Sequence, residues 1–168
     1  MKKLIFSLTF MCVLLTVSAQ INAIDEMFEK YSEKDGFTLV TISGKMFNMF
    51  GSQNAGNSAE GEVINKLSSI RILSVDDSVL NSQINFYGEI SKKLSGFEEL
   101  MVVKEGQNMT KFLIRQKGDI ISELLVITGG PGGNSLISIR GDLDMKSLSA
   151  ISKEIGIQDL EGIEKAEQ

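Results

Sequence analysis

Four β-rich runs follow one another between Phe97 and Asp142, with only turn residues between them. Short turns join antiparallel neighbours, whereas parallel strands need a long crossover, so this stretch commits the chain to a meander. Phe97–Lys104 carries Leu100, Met101, Val102 and Val103 and stops at Glu105-Gly106. Met109–Lys117 alternates, which predicts Phe112 and Ile114 toward the core and Lys111, Leu113, Arg115 and Lys117 toward water. Lys117-Gly118-Asp119 is a tight turn in which glycine can take a positive φ. Ile120–Thr128 is nearly continuous in apolar residues, the mark of a central strand covered on both faces. Gly129–Gly133, with Pro131 inside it, breaks the ladder, and Leu136–Arg140 resumes it.

The chain before this block reads as elements that cover or extend the sheet. Ile21, Ile24, Phe28 and Tyr31 recur at helical spacing, with Met27 beside them and Asp25, Glu26, Glu29 and Lys30 outward. Asn22 is the expected cap, and Asp35-Gly36 the expected stop. Phe37–Ile42 follows as a strand. Ser43–Phe50 predicts a short helix, Gly51–Ser58 a polar loop, Glu60–Ser68 a second helix, and Ile70–Val75 a further strand. A strand, a helical crossover and a strand predict a right-handed parallel unit. Asp76-Asp77-Ser78 opens a longer helix reaching about Leu94, with Val79, Leu80, Ile84, Tyr87, Ile90 and Leu94 as its apolar stripe. After the block, Asp142 or Asp144 caps a closing helix through Met145, Leu148, Ile151 and Ile155.

Lys2 and Lys3 precede an apolar run, Leu4–Val17, and then Ser18-Ala19-Gln20. A positive start, an apolar centre and small residues at the cut describe a secretory signal peptide, residues 1–19, cleaved after Ala19. The competing reading is a membrane anchor, for which the apolar run is short. Cleavage leaves residues 20–168 as a single domain, in the periplasm or secreted, with no stable membrane anchor. Cys12 lies deep in the apolar run, which does not suit a lipidation site.

Composition limits the chemistry. The chain has no histidine, no tryptophan and one cysteine, Cys12, which leaves with the signal. An ordinary zinc site, a cysteine nucleophile and a Ser-His-Asp triad are therefore out of reach for residues 20–168, and no cofactor is expected. Seventeen basic residues stand against 22 acidic ones without a basic run, which disfavours nucleic acid as a partner.

Few motifs carry chemistry. Gly129–Gly133 leads into a strand, not a helix, so it reads as a hairpin loop and not a phosphate cradle. Asp142-Leu143-Asp144 supplies too few oxygens for calcium and reads as a helix start. Glu98, Glu99, Glu105 and Glu123 lie in or beside strands, and a pair of them in a cleft would be the basis of a carboxylate hydrolase. Met46, Phe47, Met49 and Phe50 form an apolar cluster beside a polar, glycine-containing loop. Either they are core, or they line an exposed groove whose methionines adapt to a protein partner or an apolar ligand. Asn108-Met109-Thr110 is a formal N-glycosylation sequon at a strand start. Asp77-Ser78-Val79 fits a short pattern for periplasmic O-glycosylation, with Ser78 as the acceptor.

The chain also resembles a known group. Its Lys-Lys signal ending Ser-Ala-Gln, the Phe28-Glu29-Lys30-Tyr31 helix, Ser43–Phe50, the Gly118–Leu124 strand and Ile139–Leu143 are similar to the secreted Bacteroidota proteins grouped as domain of unknown function 4252. That resemblance implies an envelope location and supplies no activity or catalytic residue. The expected fold is α+β: two layers, with a mostly antiparallel sheet of five or six strands covered by helices. A ferredoxin-like arrangement with added elements is the alternative. The expected function is non-catalytic binding of an envelope protein or an apolar ligand, with a carboxylate hydrolase lacking His and Cys as the rival.

Overall fold

The structure, a computed structural model, describes residues 22–54 and 59–148, and the side chains of residues 50–62 fall outside that description. The proposed signal peptide and the continuation of the closing helix through Ile151 and Ile155 lie outside the described residues.

The fold is α+β, as the sequence predicts. Helix α1 (Ala23–Tyr31) leads into strand β1 (Phe37–Ser43). Helices α2 (Gly44–Asn54) and α3 (Ala59–Lys66) connect it to β2 (Leu67–Val75). Two short helices, α4 (Ser78–Gln83) and α5 (Phe86–Ile90), and a 3-10 turn (Ser91–Lys93) cross to the far edge. There the meander begins: β3 (Glu98–Glu105), β4 (Asn108–Lys117), β5 (Ile120–Gly129) and β6 (Ser135–Leu143). The six strands form one sheet in the order β1-β2-β6-β5-β4-β3, antiparallel throughout.

The meander matches its expectation to within a few residues at each strand end. The β1–β2 pair does not: these strands run antiparallel, Phe37 opposite Val75 and Ser43 opposite Ser69, so the parallel crossover is overturned. The α2–α3 connection returns the chain to the end it left, making a wide hairpin with helices at its tip. Gly51–Asn54, expected in a loop, continues α2.

Both faces of the sheet are apolar. On one, Ile24, Met27, Phe28 and Tyr31 of α1 and Phe86 and Ile90 of α5 pack on Leu73, Leu113, Leu125, Ile127 and Leu136. On the other, Phe112, Ile114, Leu124, Val126, Ile139 and Leu143 form a second core with Leu148, and Phe47 and Val63 of α2 and α3 pack against it. The expectation that Leu113 faces water is therefore corrected, because α1 and α5 cover its face. The cations beside it lie over rings, Lys111 5.1 Å from the Tyr87 centroid and Arg115 4.3 Å from that of Phe97. β5 is buried along most of its length, as a central strand should be.

The expected long helix from Ser78 to Leu94 is broken at Ile84-Asn85. Ile84 is extended (φ −115°, ψ 148°), and the Asn85 side chain starts a new helix by accepting from the Gly88 amide at 2.7 Å. Val79, placed on the apolar stripe by its spacing, is exposed. Asp77 caps α4 by accepting from the Val79 and Leu80 amides, and Asn22 caps α1. Asp144 caps the start of the closing helix by accepting from the Ser147 amide, and Lys66 pairs with it at 2.8 Å. Together these hold the Asp144 carboxyl well below the usual carboxylate range.

Candidate functional site

The apolar cluster of α2 splits by helical geometry. Met46 and Met49, three residues apart, share one exposed face, 49% and 61% accessible. Phe47 turns the other way and packs against the second core. The side chain of Phe50 lies outside the described residues. The cluster is thus neither all core nor all surface: Phe47 anchors the helix while the two methionines are presented outward.

The sheet face under α2 continues this apolar character. The register aligns Val40, Ile72, Ile137, Val126, Phe112 and Met101 in one row across all six strands. Val126 and Phe112 are buried, Ile72, Ile137 and Met101 are half-buried, and Val40 at the edge is exposed.

The opposite face carries a polar row that the sequence gives little sign of. Glu123, 2% exposed, stands beside Arg140 and Arg115 on its neighbouring strands. Its Oε1 accepts from Ser138 Oγ at 2.6 Å and from Arg140 Nε at 3.0 Å, and Arg115 Nη1 lies 3.8 Å from Oε2. Asp25, in the first turn of α1, accepts from Arg140 at 3.0 Å and Arg71 at 2.7 Å. The expectation that Asp25 points outward is corrected here: it ties the helix to the sheet. Burial works against the charge on Arg140, but Glu123 and then Asp25 outweigh it and raise its pKa. Arg71 also lies 3.9 Å from the Phe28 ring centroid.

The other carboxylates weighed as acid–base candidates are dispersed. Glu99 pairs with Lys111, and Glu98 accepts from Gln116 at 3.2 Å. Among the described residues no three His, Cys, Asp or Glu side chains gather as a metal site. A small groove of about 100 Å³ lies between α1 and α5, lined by Glu26, Met27, Lys30, Glu89 and Lys93 among others. Lys30–Glu89 and Lys93–Glu26 ion pairs span it. Burial pushes the Tyr31 hydroxyl up, and its hydrogen bond to Glu89 adds to this.

The glycine loop is held by asparagines. Buried Asn134 accepts from the Phe86 amide at 2.9 Å and donates to Asn81 and to the Gly130 carbonyl. Asn108 accepts from the Gly132 amide at 2.8 Å, so the sequon asparagine is occupied with the loop. A Cβ on Gly129 would meet Asn85 Oδ1 at 2.4 Å and the Tyr87 amide nitrogen at 2.9 Å. Gly129, Gly130 and Gly132 thus serve close packing, in keeping with the hairpin reading. Ser78 is exposed at the first residue of α4.

The model of one family, Domain of unknown function (DUF4252), matches residues 31–151. The chain belongs to this family. The match runs from the end of α1 through all six strands. No curated protein and no solved structure matches the chain. Among the described residues, no helix of this DUF4252 protein is long and apolar enough to cross a membrane.

Proposed function

We propose that this DUF4252 protein is a non-catalytic envelope protein, periplasmic or secreted after cleavage of residues 1–19, that binds another protein through the outward face of α2. The observation that carries this reading is the exposure of Met46 and Met49 beside a core-anchored Phe47. Methionine is a flexible, polarizable contact residue, and an exposed pair on a helix anchored by its neighbour suits a docking surface. Phe50 belongs to the same proposed surface by sequence. An apolar ligand is the second occupant of this reading. The hydrolase alternative draws little support, because Glu123 is buried with both carboxylate oxygens facing cationic side chains. Ser78 remains the proposed O-glycan acceptor.

The test places a photo-activatable cross-linking residue at position 46 or 49 in the living cell, with exposed Val79 as the control position. A discrete protein adduct from 46 and 49, absent from 79, is expected. In the Met46→Ser, Met49→Ser variant the melting temperature should hold, since exposed substitutions usually cost within about 0.5 kcal/mol. The same adducts from all positions, or a lipid adduct alone, would overturn the protein-docking reading.

A further inference from the structure

Cleavage after Ala19 leaves a chain whose sulfur is all thioether. Cys12, the one cysteine, leaves with residues 1–19, as do Met1 and Met11, so six of the eight methionines remain. Their exposure is graded. Met27 is packed into the first core, Met101 and Met109 are half-buried on strands, and Met145 is 39% exposed. Met46 and Met49 stand above all of these, and both belong to the outward face of α2. The same helix docks on the second core through Phe47, whose ring peroxide leaves intact.

We propose that Met46 and Met49 are a paired oxidation site, at which hydrogen peroxide turns the outward face of α2 polar and so blocks docking of its protein partner. The inference rests on the docking reading above. The thioether sulfur attacks one peroxide oxygen, and the S–O bond forms as the O–O bond breaks. The departing hydroxide takes the proton from the transferred oxygen and leaves as water. Sulfur loses two electrons and peroxide gains them. Each sulfoxide is a hydrogen-bond acceptor where a polarizable apolar group stood, so a partner surface packing there has to desolvate it. Positions three apart on a helix are neighbours, so both oxygens arrive on one face. Oxidation of Met27 would instead put a polar group into the core. At α2 the surface changes and the fold does not, because the reactive pair is outward and the anchoring contact is carbon alone. Methionine sulfoxide reductases reverse the change, with a dithiol supplying the two electrons and water leaving.

The test uses the full chain, processed as its cell processes it. Peptide mass spectrometry follows each methionine through a hydrogen peroxide time course. Met46 and Met49 should gain oxygen first, Met145 next and Met27 last. The melting temperature of the doubly oxidised chain should fall by no more than about 3 °C. For docking, a photo-activatable residue replaces Lys45, which is exposed and four positions before Met49. The chain is oxidised, freed of peroxide and returned to envelope extract of untreated cells. Its discrete protein adduct should drop about tenfold and return after treatment with methionine sulfoxide reductases and a dithiol. Met46→Leu, Met49→Leu keeps an apolar face of similar volume without sulfur, so its adduct should survive peroxide. A different oxidation order, unfolding on oxidation of the pair, or a wild-type adduct that survives peroxide would each overturn the proposal and leave docking standing. Loss of the leucine variant's adduct on peroxide would overturn it too, because the effect then lies on other groups. No adduct from position 45 before oxidation would sink the docking reading itself, and the block with it.

Discussion

Replacing Glu123 with alanine removes the carboxylate that Arg140 and Ser138 donate to and that Arg115 approaches. Arg140 is then left half-buried with Asp25 as its remaining partner. Breaking a buried pair from one side costs more than the pair contributes, because the surviving charge stays desolvated; about 3 kcal/mol is expected. Urea unfolding should show that loss as a lower midpoint at unchanged slope. A loss under about 1 kcal/mol would mean that water reaches Arg140 freely. The sequence marks Glu123 only as one of several strand acids. Its setting is not legible there, because its partner Arg140 is shared with Asp25, which also holds Arg71, and both of these come from the other end of the chain. The α2 cluster was more legible. Its composition and place beside a loop are local facts, whereas the division between Phe47 and the two methionines depends on which way the helix lies.

At the scale of elements, Asn134 joins three pieces with no regular pairing between them: α4, α5 and the β5–β6 turn. Its amide is well suited to this, since one oxygen takes the Phe86 amide while one nitrogen serves Asn81 and Gly130. Asn134→Ala should leave the buried Phe86 amide without a partner, at a cost of about 2 kcal/mol. Asn134→Asp should be at least as harmful, because it turns a carboxylate oxygen toward the Asn81 and Gly130 carbonyls. Thermal unfolding of both variants measures this, and an unperturbed Asp variant would refute the assigned orientation of the amide. The same contact explains why the helix after Ser78 could not be read correctly. Helical spacing persists through Ile84 and Asn85, but Asn85 as a cap and Asn134 as a distant acceptor make two short helices the better solution. The meander strands were legible because alternation and turn residues are local. The direction of β2 was not, since a helical linker allows either direction and the choice rests on β6 lying beside β2.

For the whole molecule, β6 is the joint. The meander is built in chain order, yet its last strand pairs with β2, so Ile72 meets Ile137 across most of the fold. Neither the β1–β2 hairpin nor the β3–β5 portion buries its apolar faces alone, because both cores draw residues from both parts. One cooperative transition is therefore expected. It can be checked with two probes that see different places. Tyr31 and Tyr87 are the chain's two tyrosines and there is no tryptophan, so fluorescence reports the α1–α5 face. Far-ultraviolet circular dichroism reports the sheet as a whole. The two denaturation curves should coincide, and refolding should fall in the millisecond-to-second range set by non-local strand pairing. Separate midpoints would mean that the α1–α5 layer leaves the sheet before the sheet unfolds. The Asp25–Arg71–Arg140 tie between α1 and two inner strands argues against that order, because the departure of α1 would leave Arg71 without its carboxylate and Arg140 with Glu123 alone.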